Sequence, residues 1–524
     1  MPGWNWNPYC ARAPCLPPGD SSPFMPPPDP SQAGNAGLVR SKSDLAELIR
    51  RRVGSRLFVN VSNREPFVHS FGPDGQVRAQ AAVGGLTLAL NSVMQAVGGV
   101  WVAHGSGEAD RASSDPEGRL RVPPDNPAYD LQRVWLTSEE NDGYYNGCAN
   151  QAIWPVCHLA FTKPVFRNDH WEAYRKVNAK FADAVSRVVG DRDAIIFVQD
   201  YHFALLPRLI KERCPNAVCV HFWHIPWPLP EVLAMCPWHE QILDGVLGND
   251  VFGVHVPEYA ERFLRAARAR ADCDTADSQT LLRNGRPVRV QAFPISIDFD
   301  RVSRRSSGAA CDEAVSRLRE RYRLDGKFVV LGLDRIDYTK GVLERLQAFE
   351  RMLAQHPEMR PKTAYIHAGA PSRTEIPAYR DLHEAVNVIE KRINTGSSDR
   401  EPGPVISIKR QLGDDDVLAL YRLADVCVVS SLEDGMNLVA KEFLAARNDE
   451  GGHLLLSEFT GAAWELPGAD CFNPLAVDDF AERLYALSRR ADADGGQRMR
   501  RLREHVRAHN IYGWIGSILE AVPD

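Results

Sequence analysis

The chain contains no uninterrupted apolar run approaching the roughly eighteen residues that a membrane-spanning helix requires. It also lacks an excess of positive charge. With 62 Lys and Arg against 68 Asp and Glu, the net charge is −6, which supplies no basic field for nucleic acid. The 11 cysteines include no Cys-x-x-Cys pair, and several, such as Cys219 and Cys427, sit inside apolar runs. That spacing argues against a zinc site or a disulfide framework and reads as free buried thiols in a reducing cytoplasm. Met1 to Gly37 is Pro-rich and polar, without the basic-then-apolar pattern of a secretory leader. The expectation is a cytoplasmic protein whose partners are neither nucleic acid nor a membrane. Nothing in the pattern fixes an oligomeric state, so a homo-oligomer stays open.

What is present is an alternation. A chain of 524 residues is long for a single core, and two domains are expected. Residues 1–54 read as a disordered Pro-rich tail followed by a short helix over Ser43–Arg52, capped by Ser41 or Ser43. Apolar runs of buried-strand length then follow at Arg56–Val61, Gly99–Ala103, Ala194–Val198, Ala217–Trp223 and Val251–Val256. Trp171–Val188 carries a helical period. An Arg- and Ser-rich break over Asp298–Gly326 separates these from a second series: Phe328–Leu333, Ala364–Ala368, Val405–Ile408, Val426–Val429 and His453–Leu456. Helix-patterned segments lie between, and the final ones cover Ala481–Ala508 and Ile511–Val522. This is the α/β pattern of open parallel sheets, whose ligands bind beyond the C-terminal strand ends. The predicted organisation is a Rossmann-like domain over 55–296, a second over 297–508, facing it across a cleft, and a closing helix over 509–524.

Polar residues cluster at those strand ends. Ser430–Phe443 joins an apolar strand to a helix through a turn carrying Asp434, Gly435, Met436, Asn437 and Leu438. The unpaired N–H groups and partial positive charge of a helix start suit a phosphate or a polar sugar. Glu442 follows Asp434 by eight residues, which predicts that both lie near one helix face. After Phe328–Leu333 come Arg335 and Lys340, and after the next strand Arg373; a planar fork and a point charge together can neutralise a diphosphate. The first half offers Arg64 at a strand end, Gly84 and Gly85 opening a helix, Tyr145 at another helix start, and Asp200 and His224 where two central strands finish. A carboxylate in Asp200's position needs partners or a ligand, whereas His224 before a Pro-locked turn, taken alone, reads rather as a satisfied core residue than as a site residue.

These segments, in order VSNRE, YYN, IWP, QDYHFALLP, HIPWP, FPISID, DRIDYTKG, APSR, DGMNLVAKEF and LSEFTGAA, resemble the trehalose-6-phosphate synthase family from about Arg56 to Val522. The resemblance implies a retaining glycosyltransferase of the GT-B fold. It would move glucose from UDP-glucose to glucose 6-phosphate, giving α,α-trehalose 6-phosphate and UDP, with no cofactor and no metal. It implies that Arg64, Tyr145, Asp200 and Arg373 hold the acceptor and that Gly84 and Gly85 lie against the donor. Arg335 and Lys340 would clamp the donor diphosphate, Glu442 the ribose, and Asp434 with the backbone of Gly435, Met436, Asn437 and Leu438 the donor glucose. His224 would touch the transferring sugar, which makes His224, Asp434, Arg335 and Lys340 the catalytic set. Two positions depart from the family: His104-Gly105 near an expected tryptophan, and Glu433 where an arginine is common. The alternatives are a related enzyme that glucosylates glycerol 3-phosphate and a non-catalytic sugar-phosphate sensor.

Overall fold

The short β-branched runs pair in parallel because the helices between them leave no room for tight hairpins. The computed structural model describes residues 39–81, 85–396, 403–489 and 495–523. Residues 37–524 form one unit apart from residues 1–36, and all the described residues belong to it.

The first sheet has ten strands. Its parallel centre runs Arg286–Ala292, Val251–Val254, Val218–Phe222, Ala194–Gln199, Leu57–Arg64, Val100–His104 and Tyr129–Val134. Antiparallel strands finish both edges, Asp274–Thr275 and Thr280–Arg283 on one side and Arg119–Val122 on the other. The second sheet is parallel throughout, in the order Val405–Ile408, Thr363–Ala368, Phe328–Leu333, Val426–Val429, His453–Ser457 and Asp470–Phe472.

Each sheet reverses its winding once. In the first the reversal lies between Leu57–Arg64 and Ala194–Gln199; in the second it lies between Phe328–Leu333 and Val426–Val429. Helices on opposite faces part at such a point and leave a crevice past the strand ends. Arg64 and Asp200 border the first crevice, and Asp334, Arg335 and the turn at Asp434 border the second.

The predicted cap of the first helix is settled: Ser41 accepts the Asp44 N–H, and the helix runs Lys42–Arg52. The last helix, Ile511–Ala521, returns to the first half. Trp514 packs its ring 5.1 Å from Phe222 and 5.9 Å from Phe197, both on central strands of the first sheet. One apolar core therefore runs from Phe58 through Trp514 to Leu331 and Phe443.

Three elements differ from the sequence reading. The stretch predicted as one helix over Ala481–Ala508 is two helices, Val477–Arg489 and Gly495–Ala508, with part of the intervening segment outside the described residues. Tyr145 does not open an α-helix; it lies in a π-helix, Asp142–Ile153. Its wider i→i+5 winding is supported by Asn150 and Gln151, whose amides donate to the carbonyls of Tyr145 and Asn146 at 2.8 and 3.0 Å. Asp434 precedes its helix instead of belonging to it. That helix is Leu438–Ala446, with Asn437 as its cap, so the shared helix face expected for Asp434 and Glu442 does not exist.

Candidate active site

A cavity of about 870 Å³ opens between the two crevices. Arg64, Tyr145, Asp200 and His224 line it from the first half, and Arg335, Lys340, Arg373, Asp434, Met436, Asn437, Leu438 and Glu442 from the second. The two unlike halves of the expected site thus share one space. Gly84 lies outside the described residues, and Gly85 is the first residue of helix Gly85–Val97, whose Thr87 and Leu90 line the cavity. Gly435 does not line it. Gly435 is where the halves touch, since a Cβ there would stand 2.4 Å from the His224 carbonyl oxygen, so only glycine fits.

On the second half, Lys340 Nζ lies 2.5 Å from an Asp434 carboxylate oxygen that also accepts from Ser431 Oγ at 3.2 Å and Asn437 Nδ2 at 3.1 Å. Burial alone would raise the Asp434 pKa, but the Lys340 ammonium and the Asn437 amide hold it at about 2. The approach of Lys340 depends on Gly341, whose φ of +60° and 2.0 Å Cβ distance to the Ser430 carbonyl oxygen admit no side chain. Arg335 is bound more lightly, by Ser372 Oγ at 3.3 Å. Glu442 Oε2 accepts from Tyr421 Oη at 2.9 Å, and burial raises its pKa.

On the first half, Asp200 has φ +72°, a costly region for a non-glycine residue. Its Oδ1 accepts the N–H groups of Tyr201 at 3.0 Å and His224 at 3.1 Å. Burial raises its pKa to about 7 against the pull of those two donors. Gln199 donates its amide to Asn60 Oδ1 at 3.0 Å, which turns Gln199 Oε1 toward His224 Nε2 at 2.8 Å. Nε2 therefore carries the proton and Nδ1 is left as an acceptor. Burial, with His255, His221 and His202 nearby, drives the His224 pKa well down, so the ring is neutral.

The strongest charge feature lies between the halves. Tyr145 is half-buried, and the loss of water around its phenol pushes it up, yet the guanidinium groups of Arg373, Arg64 and Arg335 outweigh this and bring it to about 7. Three cations therefore set up a positive field at this phenol, the environment that a phosphate dianion requires. A near-ultraviolet pH titration of the free protein is expected to show one tyrosine ionising near neutrality, and Tyr145→Phe should remove it. Saturating inorganic phosphate should shift that ionisation upward by cancelling the arginine field. A titration with no tyrosinate until the ordinary alkaline range would contradict the convergence.

Sequence reasoning passed over the residues that hold Arg373. Its Nη1 lies 3.4 Å from Asp337 Oδ2 and also donates to Tyr379 Oη, Nη2 lies 3.3 Å from Tyr201 Oη, and its guanidinium sits 4.4 Å from the Trp154 ring centre. Asp337 is fully buried and accepts from Tyr379 Oη at 3.0 Å. A carboxylate two positions after Arg335, between Ile336 and Tyr338, was the available signal. Arg301, Arg305 and Arg410, which also line the cavity, came from segments with no motif of their own. The two departures lie elsewhere. Neither His104-Gly105 nor Glu433 lines the cavity; Gly105 packs against the Trp135 ring, and Glu433 reaches toward the first half.

Two parallel-sheet halves that present a polar cleft at their switch points define the GT-B class of glycosyltransferases. The chain belongs to glycosyltransferase family 20, whose model matches residues 56–524. It is 34% identical over 483 residues to the trehalose-6-phosphate synthase of Mycobacterium tuberculosis, covering 90% of this chain and 95% of that one. It is 37% identical over 470 residues to the bifunctional trehalose-6-phosphate synthase/phosphatase of Thermoproteus tenax, covering 88% of this chain; it spans only 62% of that longer relative. Among solved structures, the UDP-forming α,α-trehalose-phosphate synthase of Burkholderia xenovorans, in complex with glucose 6-phosphate, matches with a TM-score of 0.78 at 28% identity. That match covers 88% of this chain and 99% of the other. Among the described residues, no helix is long and apolar enough to cross a membrane, and nine cysteines are free thiols.

Proposed function

We propose that this chain transfers glucose from UDP-glucose to the anomeric hydroxyl of glucose 6-phosphate, with retention, giving α,α-trehalose 6-phosphate and UDP. The observation that carries the reading is the convergence of two anion sites in one cavity. Arg64, Tyr145 and Arg373 surround a place for a sugar phosphate, and Arg335 and Lys340 stand where a donor diphosphate would lie against the Asp434 turn.

In this reading the C1–O bond to the diphosphate breaks while the acceptor oxygen bonds to C1 from the same face. The acceptor proton passes to the departing diphosphate oxygen. Arg335 and Lys340 stabilise the charge that grows there, acting as fixed positive charges in a water-poor site. Asp434 holds Lys340 in place, and takes donor glucose hydroxyls together with the backbone after it. Neutral His224 offers Nδ1 to the transferring sugar, and Glu442 takes the ribose hydroxyls. No carboxylate is assigned as a covalent nucleophile, in contrast to retaining hydrolases. We propose that neither a divalent metal nor another cofactor takes part, because the two cations supply the charge. We place the reaction in the cytoplasm, consistent with the free thiols.

The test is UDP release from UDP-glucose by purified protein, with glucose 6-phosphate, glycerol 3-phosphate or glucose as acceptor and a chelator in parallel. The expected result is rapid, chelator-insensitive release with glucose 6-phosphate alone. Preference for glycerol 3-phosphate would replace the acceptor assignment, and binding without turnover would make the chain a sensor.

A further inference from the structure

The turn before Asp434 reaches across the cleft. Glu433 belongs to the second half, yet its Oε2 accepts the backbone N–H of Leu159, just past helix Trp154–Cys157 of the first half. Its Oε1 stands 3.7 Å from Arg262 Nη1, on helix Pro257–Arg270 of the same half. The side chain is 11% exposed, so these contacts replace water and are not decoration on a wet surface. Two further contacts cross at this point. Tyr259 Oη donates to the Asp434 carbonyl oxygen at 3.4 Å, and Gly435 abuts the His224 carbonyl that His255 Nε2 also contacts at 3.0 Å.

Both ends of the Glu433 contact lead to the site. On one side its neighbour is Asp434, paired with Lys340. On the other, Leu159 follows the helix whose Trp154 carries the Arg373 guanidinium on its face. Arg262 is anchored within the first half by Glu258 at 2.5 Å and the Trp227 carbonyl at 3.3 Å, so it presents a fixed charge to Glu433. In an opened cleft the Leu159 N–H and the Glu433 carboxylate would both return to water.

We propose that Glu433 is a positioning residue: its carboxylate latches the donor turn to Leu159 and Arg262, holding Asp434 in register with the acceptor pocket. The proposal rests on the glucosyl-transfer reading, and it predicts that a loosened latch lets water compete with the acceptor.

The test uses the full-length protein and the variants Glu433→Ala and Glu433→Gln; glutamine keeps an acceptor for Leu159 but drops the charge toward Arg262. The first readout, amide hydrogen exchange in the unliganded protein, does not depend on catalysis. Exchange across residues 158–162 should quicken in Glu433→Ala and stay closer to the parent in Glu433→Gln. The second readout is UDP release with water divided by release with glucose 6-phosphate. Losing a partly buried charged contact should raise that ratio roughly tenfold in Glu433→Ala. A residue that merely supports the fold would lower the melting temperature and leave the ratio alone. Unchanged exchange at Leu159, or an unchanged ratio, overturns the latch. If the parent itself transfers no glucose, the functional reading fails, and the exchange readout alone decides whether the latch exists.

Discussion

Replacing Lys340 or Arg335 with alanine is expected to slow glucosyl transfer by roughly a hundredfold, about 3 kcal/mol of transition-state stabilisation. The two variants should differ in what else they disturb. Lys340 neutralises Asp434 at 2.5 Å inside the cleft, so its removal strands a part-buried carboxylate. Lys340→Ala should therefore lose thermal stability as well as rate. Among the described residues Arg335 has one hydrogen bond, a long one to Ser372, so Arg335→Ala should keep the parental melting temperature. A loss of kcat at constant stability in Arg335→Ala separates charge stabilisation at the diphosphate from a damaged fold. Steady-state rates with UDP-glucose, set beside thermal melts, check both statements; near-normal turnover in both variants would remove the clamp.

The second large effect is expected at Arg373. Arg373→Ala should raise the KM for glucose 6-phosphate by about two orders of magnitude, the cost of an unmatched phosphate charge, and leave the KM for UDP-glucose near the parent value. It should also destabilise the protein by about 3–5 kcal/mol, because Asp337 is fully buried and would lose its cation. Arg373→Lys restores the charge but not the fork that meets Asp337 and the phenols of Tyr379 and Tyr201 together. It should recover most of the stability and little of the acceptor affinity. Initial rates over a range of sugar phosphate, with denaturant melts, test the split. Equal changes in both KM values would mean that Arg373 supports the cleft as a whole.

Much of this site can be read without coordinates, for a physical reason. Runs such as Phe328–Leu333 and Val426–Val429 are buried on both faces, so their apolar length marks the strand and its end marks the crevice. Charged residues just past such ends, Arg335 and Asp434 among them, have few places to go other than the cleft. Tyr145 was legible as a site residue but its π-helix was not, because that winding depends on Asn150 and Gln151 folding back on carbonyls five residues earlier. Asp337 was hidden because its partners Arg373 and Tyr379 lie 36 and 42 positions away. Arg301 and Arg305 were hidden for a related reason. Their helix, Phe299–Ser306, follows the chain's passage between sheets, and only the packed fold turns it toward the cavity. Glu433 could be seen to depart from its relatives, but nothing local reveals that it points at Leu159, 274 positions earlier.

The most direct test of the central claim is a crystal structure of the protein with UDP grown in the presence of a chelator. The account predicts diphosphate oxygens within about 3.2 Å of both Lys340 Nζ and the Arg335 guanidinium, with no ion between them. A diphosphate seated away from these two side chains, or one that orders only when a divalent metal is added, would contradict it.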